Sequence, residues 1–204
     1  MRFTKYLEEL LSTKSDIKIL RTLCKYPTKE FNESELARVS GVGQKTVNRA
    51  MPKYISYGIV SARTIARANI YSLNSGHYIV EQLRRLFQAE EGAKSELKCL
   101  LGDAFKEDKA IVSLVMFGSV ARGKEEPTSD IDVFVLAKDK KRVKKKLRAA
   151  EETIMKKFGN VISEYVLTPE EFKQKRGTQT IKEIVARGEL IVGKPLGGEK
   201  NAGD

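Results

Sequence analysis

The chain has 204 residues, of which 41% are hydrophobic and 32% are charged, and it contains one histidine and two cysteines. A single histidine argues against His-ligated metal centres and Ser-His-Asp triads, and two distant cysteines argue against a zinc site or a disulfide framework. No apolar run approaches the ~20 residues that span a bilayer, and no apolar signal-peptide core follows the N-terminus. The composition therefore predicts a cytoplasmic protein of one or two domains without a membrane partner.

The charge of the chain is strongly basic and unevenly distributed. The formal net charge is +11, which favours a polyanionic partner. Residues 1–76 hold 13 Lys and Arg against 6 Asp and Glu, whereas the remaining 128 residues hold 25 against 21. The excess of positive charge is therefore concentrated in the first third of the sequence.

Three short helices and a hairpin are predicted in the first 76 residues. Ser15 and Asp16 precede an apolar helical pattern that Pro27 ends, and Asn32 precedes a second helix over 33–39. A glycine-rich turn over 40–43 leads into a third helix over 44–57, which an extended stretch over 59–73 follows. Helix, turn, helix and basic hairpin in this order resemble the winged helix-turn-helix plan.

That resemblance implies a nucleic-acid-binding surface. The second helix of the helix-turn-helix, predicted over 44–57, would enter the major groove, and the wing would contact the nucleic-acid backbone. The candidate nucleic-acid-binding residues are Gln44, Lys45, Thr46, Asn48, Arg49 and Lys53 on the helix, with Arg63 and Arg67 on the wing. The alternative is a protein–protein or dimerisation module whose basic residues are merely solvated.

The remaining sequence alternates between strands and helices. A helical pattern over 77–106 is expected to break at Gly92, and strands are predicted over 111–117, 131–137, 161–167 and 190–192. Helices are predicted over 142–158, after Thr168-Pro169, and over 180–187. We therefore expect an α+β protein. Its parts would be a winged-helix domain (1–76), a connector helix (77–94), a small mixed-sheet domain (95–195) and a disordered tail (196–204).

The segment from Val115 to Val135 contains the residues best suited to chemistry. Gly118-Ser119 ends a buried strand, and a residue without a side chain lets a phosphate approach the backbone closely. After ten further residues, Asp130 and Asp132 introduce the next strand and share one of its faces. Oxygen ligands of this kind suit Mg²⁺, which also binds nucleoside phosphates. Arg122 and Lys124, in the intervening loop, can add positive charge.

These motifs resemble those of the DNA polymerase beta-like nucleotidyltransferases, particularly the minimal type, over about residues 95–195. The resemblance implies that Asp130 and Asp132 bind two divalent metal ions and that Gly118-Ser119 holds the triphosphate of an NTP. An acceptor would attack the α-phosphorus and release pyrophosphate. With its N-terminal part, the chain resembles archaeal proteins that pair a winged helix with such a domain.

A third carboxylate on a later strand completes the pattern of that superfamily. Glu164 is the only acidic residue inside the predicted strand over 161–167, and it shares a face with Ile162 and Val166. A carboxylate between two apolar neighbours is costly to bury without a cation. We therefore expect Glu164 to lie beside Asp130 and Asp132 and to act in catalysis.

A basic run extends from Lys138 to Arg148 and holds eight basic residues and one acidic residue. In a helix most of these side chains would face water, so a solvated helix is the preferred interpretation. The alternative is an additional nucleic-acid surface.

The sequence thus favours a Mg²⁺-dependent nucleotidyltransferase that moves an NMP from an NTP to an acceptor, with a winged-helix module for DNA or RNA. The alternative function is a DNA-binding transcriptional regulator, or an antitoxin-like protein, in which the transferase fold is a sensor or a platform. The formation of a homodimer is left open by the sequence.

Overall fold

The structure is a computed structural model that describes residues 6–126 and 128–197. The chain divides into two compact units, with the boundary after Gly92. Within the described ranges, no helix is both long enough and apolar enough to cross a membrane.

The helices and strands of the N-terminal unit, in chain order, are α1 (Tyr6–Leu10), α2 (Lys14–Lys25), β1 (Phe31–Asn32), α3 (Glu33–Ser40), α4 (Gln44–Ser56), β2 (Val60–Ile65) and β3 (Ala68–Leu73). Helix α5 (Tyr78–Phe105) begins in this unit. The elements of the C-terminal unit are β4 (Ile111–Met116), α6 (Gly118–Ala121), β5 (Ile131–Ala137), α7 (Lys140–Phe158), β6 (Ile162–Leu167), α8 (Pro169–Lys175), α9 (Gln179–Arg187) and β7 (Glu189–Gly193).

The N-terminal unit has the predicted winged helix-turn-helix arrangement. Helices α2, α3 and α4 precede an antiparallel sheet in the order β1-β3-β2, in which β2 and β3 form the hairpin. Gly41 ends α3 in the left-handed region at φ 62°, which glycine adopts without strain and which turns the chain into α4. A core that includes Leu23, Leu36 and Tyr54 fixes the helices on the sheet.

The start of α2 differs from the prediction. Thr13, rather than Ser15 or Asp16, is the N-cap, and its hydroxyl accepts a hydrogen bond from the Asp16 backbone N–H at 3.1 Å. The Asp16 carboxylate in turn accepts from the Thr13 backbone N–H, which completes a capping box. The Asn32 cap of α3 and the Thr168-Pro169 start of α8 are as predicted.

Helix α5 also differs from the prediction, because it is continuous from Tyr78 to Phe105 and Gly92 does not divide it. Glycine in a helix interior costs only about 1 kcal/mol relative to alanine, which a long helix with packed neighbours can tolerate. The predicted tail lies outside the described residues from position 198 onward.

The C-terminal unit is built on a mixed sheet in the order β6-β5-β4-β7. Strands β5 and β6 are parallel, whereas β4 is antiparallel to both β5 and β7. Strand β5 is buried on both faces: Val133 and Val135 belong to one apolar core, and Phe134 and Leu136 belong to another. The protein is therefore of the α+β class, and Asp132 lies near the start of its central strand β5.

Candidate nucleotide site

The turn after β4 brings the backbone directly against Asp132. The Phe117 N–H donates a hydrogen bond to the Asp132 carbonyl oxygen at 3.0 Å, and Gly118 follows with φ 72°. A Cβ atom placed on Gly118 would lie 1.8 Å from Oδ2 of Asp132. Only glycine therefore permits this approach, and the carboxylate packs against the bare Cα of the Gly118-Ser119 turn.

The surroundings of Asp132 do not fully stabilise the negative charge of its carboxylate. Partial burial raises its pKa above the ordinary value, and repulsion from Asp130 acts in the same direction. The Ser163 hydroxyl and the charge of Arg122 lower the pKa but do not cancel these effects. A cation between the two carboxylates would relieve their repulsion.

Strand register places Ser163, and not Glu164, beside Asp132. In the parallel pair of β5 and β6, Asp132 is opposite Ser163 and Val133 is opposite Glu164. Neighbouring side chains in register point to the same face, so Glu164 lies on the other face of the sheet from Asp132. There its carboxylate pairs with Lys144 at 2.9 Å. The expectation that Glu164 joins the two aspartates is therefore wrong.

Ser163 is the residue that sequence reasoning missed. Its position beside Asp132 depends on the pairing of β6 with β5. The residues that pair there are about 30 positions apart in the chain. Alternation along β6 distinguishes its two faces but does not say which of them meets Asp132. The sequence therefore shows that either Ser163 or Glu164 faces Asp132, but it does not show which of them does.

The loop between the turn and β5 carries the predicted cations. Arg122 is exposed and acts electrostatically on Asp132. Lys124 is also exposed, and its backbone N–H donates to the Ser119 carbonyl oxygen at 3.0 Å. Lys94 donates from Nζ to the Ala121 carbonyl oxygen at 2.9 Å, which fixes the end of α6. The turn is thus held at both ends, and the cationic side chains of the loop face solvent.

The donors available for a metal ion are the carboxylates of Asp130 and Asp132. Within residues 6–126 and 128–197, no group of three or more His, Cys, Asp or Glu side chains is placed to hold a metal ion. Two carboxylates still suit Mg²⁺, because this ion keeps several waters and completes its shell with substrate phosphates. The site fits a metal ion that binds together with a nucleotide.

Lys53 does not belong to the exposed face of α4. Its Nζ donates to the Asp16 carboxylate at 2.7 Å and to the Glu9 carbonyl oxygen at 2.8 Å. Tyr54 donates to the same carboxylate at 2.6 Å. The predicted role of Lys53 in nucleic-acid binding is therefore wrong, since its charge is used inside the N-terminal unit.

Two other predicted residues of α4 are engaged by the carboxylate of Glu33. The side chains that hydrogen-bond to Glu33, and so hold its pKa below the ordinary value, are those of Asn69, Tyr71, Asn48 and Gln44. On the wing, Arg63 pairs with Glu30 at 2.6 Å between exposed side chains. These contacts orient polar groups of α4 and the wing, but they also place negative charge beside them.

Lys45, Arg49 and Arg67 are the predicted cations that stay available for a ligand. All three are exposed, and none of them forms an ion pair with another residue of the described ranges. Thr46, also predicted, is half-buried on α4. Arg67 lies at the tip of the hairpin with φ 71°, and Ala66 before it has φ 46°. The tip therefore holds two non-glycine residues in the left-handed region, where side chains are disfavoured.

Comparison with solved structures gives weak similarities. NolR from Sinorhizobium fredii is 22% identical with a TM-score of 0.34, over 42% of this chain and 78% of that chain. A toxin–antitoxin structure with AMP-PNP is 19% identical with a TM-score of 0.32, over 50% and 73%. TrmBL2, described as an archaeal chromatin protein, is 13% identical with a TM-score of 0.29, over 88% and 72%.

Sequence comparison is more informative for the C-terminal unit. No curated protein matches the chain. Residues 98–191 match the family model of the nucleotidyltransferase domain, a range that includes the Gly118-Ser119 turn, Asp130 and Asp132. The C-terminal unit is therefore similar to the nucleotidyltransferase domain over that range.

Proposed function

We propose that this protein is a Mg²⁺-dependent nucleotidyltransferase that transfers an NMP from an NTP to an acceptor. The NTP would bind between the Gly118-Ser119 turn and the carboxylates of Asp130 and Asp132. The observation that carries this proposal is the contact between Gly118 and Asp132, where a Cβ would lie 1.8 Å from the carboxylate. The turn and the acidic pair thus form one site, as phosphate binding beside a metal ion requires.

Each residue of the site has a distinct part in the proposal. Asp130 and Asp132 would hold Mg²⁺, which supplies charge neutralisation for the phosphates. The Ser119 hydroxyl and the backbone of Gly118 would contact phosphate oxygens, and Arg122 and Lys124 would add positive charge. An acceptor hydroxyl gives its proton to solvent as its oxygen bonds to the α-phosphorus, the bond from that phosphorus to the bridging oxygen breaks, and pyrophosphate leaves.

The N-terminal unit supports a nucleic-acid partner, DNA or RNA, for the same protein. Lys45 and Arg49 on α4, with Arg67 on the wing, are exposed cations without an ion pair to any described residue. Gln44 and Asn48 lie beside them on α4, where the Glu33 carboxylate orients their side chains. The resemblance to archaeal proteins that combine a winged helix with such a domain favours the same arrangement. Free cysteines at positions 24 and 99 suit the reducing cytoplasm that we propose as its location.

A second candidate function is favoured by Ser163. This hydroxyl occupies the position in register with Asp132, where a third carboxylate was expected, and Glu164 points to the other face. A site with two carboxylates can hold a Mg²⁺–nucleotide complex and yet lack a general base on β6. The protein would then be a DNA-binding regulator, or an antitoxin-like protein, that senses nucleotide without transferring it.

The experiment that separates these functions measures binding and transfer on the same samples. Calorimetry with Mg²⁺ and each NTP gives the affinity, and labelled NTPs with RNA, DNA and protein acceptors give the transfer. We expect Asp130→Asn with Asp132→Asn to abolish both, whereas Glu164→Gln, which removes a carboxylate on the other face, keeps both. Binding without transfer in the unsubstituted protein would favour the sensor. Equal affinity in the double variant would contradict the proposed site.

A further inference from the structure

Helix α7 uses its flanking cations to attach itself to the C-terminal unit. On one flank, Lys140 pairs with Glu171 at 2.9 Å and Lys144 pairs with Glu164 at the same distance. On the opposite flank, Arg142 and Lys146 both pair with Asp108, whose side chain is fully buried. These four cations have structural partners, so they account for half of the basic run.

The cations between these flanks have no partner among the residues that the structure describes. Lys141, Lys145 and Arg148 follow one another at helical spacings of four and three residues, which places them in one line along the helix. All three are exposed, and none forms an ion pair or side-chain hydrogen bond with any residue in the part of the chain that the structure describes. We call Lys141, Lys145 and Arg148 the α7 stripe.

The α7 stripe works against the stability of its own helix. Lys141 lies in the first turn of α7, where the positive end of the helix dipole disfavours a cation and only the N-cap carboxylate of Asp139 offsets it. Like charges four residues apart repel as well. The apolar residues Val143 and Leu147 attach the helix to the core and do not require cations opposite them. Charges that weaken the helix and lack internal partners point to an external one.

We propose that the α7 stripe binds the sugar–phosphate backbone of a nucleic acid. From Lys141 to Arg148 the helix rises by about 10 Å, which covers about three phosphates of one strand of a duplex. Two of the three cations are lysines, which act as point charges toward phosphate, so we expect the binding to be independent of sequence. This surface lies on the C-terminal unit and is additional to the nucleic-acid contacts proposed for α4 and the wing.

The surroundings of the α7 stripe set its extent. Glu152 is the next residue along the same line, so the stripe ends there. At the other end, the backbone N–H of Lys138 bonds to the Ala110 carbonyl oxygen at 2.7 Å, which brings the exposed Lys109 and Lys138 to the same end of the sheet. Two further exposed cations thus lie near the N-terminal end of α7, beyond the N-cap Asp139.

The test compares two sets of substitutions that remove the same charge from the full-length protein. Lys141→Gln, Lys145→Gln and Arg148→Gln remove the stripe. Lys173→Gln, Arg176→Gln and Lys182→Gln remove three exposed cations from α8, its C-cap and α9. Fluorescence anisotropy gives the affinity for two unrelated DNA duplexes of about 20 base pairs, and for RNA duplexes of the same sequences, between about 50 and 200 mM salt. A labelled polyglutamate serves as the acidic-peptide probe.

We expect the loss of the stripe to reduce the slope of log affinity against log salt by about 2 to 3, equally for both sequences. The control set should change it by less than 1, and the affinity for Mg²⁺–ATP should stay unchanged in both variants. Equal effects of the two sets, or none from the stripe, would overturn the proposal. A loss confined to polyglutamate would overturn it as well, because the partner would then be an acidic protein. The melting temperature of the stripe variant should be equal or higher, which shows that any loss is not due to unfolding.

Discussion

At the scale of single residues, Gly118 determines the geometry of the candidate site. Alanine there would place its Cβ 1.8 Å from Oδ2 of Asp132, so the carboxylate or the turn must move. We expect Gly118→Ala to lower the affinity for Mg²⁺–ATP by more than tenfold, because the two halves of the site can no longer meet. Calorimetry on the variant measures this loss directly.

Gly123 provides a matched control for that substitution. It also has a positive φ, of 63°, but a Cβ placed there meets no atom within 4 Å. Both alanine variants therefore carry a similar backbone strain of about 1–2 kcal/mol, and only one creates the clash. If Gly123→Ala reduced nucleotide affinity as much as Gly118→Ala, backbone strain in the loop would explain the loss, and the contact with Asp132 would not.

At the scale of helices and strands, Asp16 links the start of α2 to α4. Burial alone would raise its pKa, but hydrogen bonds from Lys53, Tyr54, Ser12 and Thr13 outweigh this effect and lower the pKa to about 2 from an ordinary 3.8. Since the folded-state pKa lies below the unfolded one, the ionised form stabilises the fold above about pH 4. This stabilisation, about 2 kcal/mol, is lost as the pH falls from about 4 to 2.

Urea unfolding of the N-terminal unit between pH 2 and 5, followed by hydrogen exchange, measures this dependence. We expect Asp16→Asn to remove most of it and to destabilise the unit at neutral pH by about 3 kcal/mol, since Lys53 then loses its counter-charge. Glu30→Gln is the control, because Glu30 pairs with Arg63 at the exposed surface of the same unit and such pairs contribute about 0–1 kcal/mol. An unchanged acid limb in Asp16→Asn would assign the pH dependence to another group.

Exposed cations on helix α4 lead to a prediction for nucleic-acid binding by the N-terminal unit. We expect Lys45→Ala with Arg49→Ala to weaken duplex DNA binding and to reduce the salt slope by about 2, because each lost phosphate contact lowers counterion release. Lys14→Ala with Lys18→Ala on α2 removes the same charge from two other exposed residues and should leave the slope nearly unchanged. Gel-shift titrations at several salt concentrations compare the two pairs. Equal slopes for both would place the DNA contact elsewhere.

The features that the sequence predicted well are local ones. The Asn32 cap, the Thr168-Pro169 helix start and the limits of β5 depend on neighbours within a few positions. The same holds for the Gly118-Ser119 turn and for the pairing of Asp130 with Asp132. Each of these is determined by side chains that are close in sequence, so a pattern of residue types is sufficient to find it.

The features that the sequence did not predict depend on distant pairing. Glu164 and Ser163 alternate along β6, and only the register against β5 decides which of them meets Asp132. The role of Lys53 depends on Asp16, 37 positions away in the chain. The hydrogen bond to Asp16 holds the Lys53 ammonium group inside the unit, although the sequence suggests an exposed cation. Gly92 would end an isolated helix, but α5 continues through it. For Glu164, Ser163 and Lys53 a tertiary contact decides the outcome, whereas at Gly92 the small cost of a glycine inside a helix is tolerated.

At the scale of the whole molecule, the buried apolar residues form separate cores. One core contains residues from Leu10 to Phe87, and the buried residues of the two others begin at Leu97. Helices α2 to α4 and the hairpin therefore obtain their stability from the first core, while the nucleotide site rests on β4 and β5 in the others. Stability and ligand binding should accordingly be separable between the two units.

A ligand that binds only one unit should protect only that unit. Mg²⁺–ATP at about 100 times its Kd adds about 2.7 kcal/mol to the unfolding free energy of the unit that holds it. We expect this gain to appear as slower hydrogen exchange in β4, β5 and β6, whereas α2 and α4 exchange at unchanged rates.

Substitutions in the separate cores test the same independence. Leu23→Ala, at a fully buried position, should accelerate exchange in α2 and α4 by lowering stability by about 2–5 kcal/mol, with nucleotide affinity intact. Ile184→Ala, in the core that also contains Phe134, should instead accelerate exchange in β4, β5 and β6 and leave α2 and α4 unchanged. Equal protection of both units by Mg²⁺–ATP would show instead that they unfold as one, and the nucleotide would then be able to regulate the winged helix through stability alone.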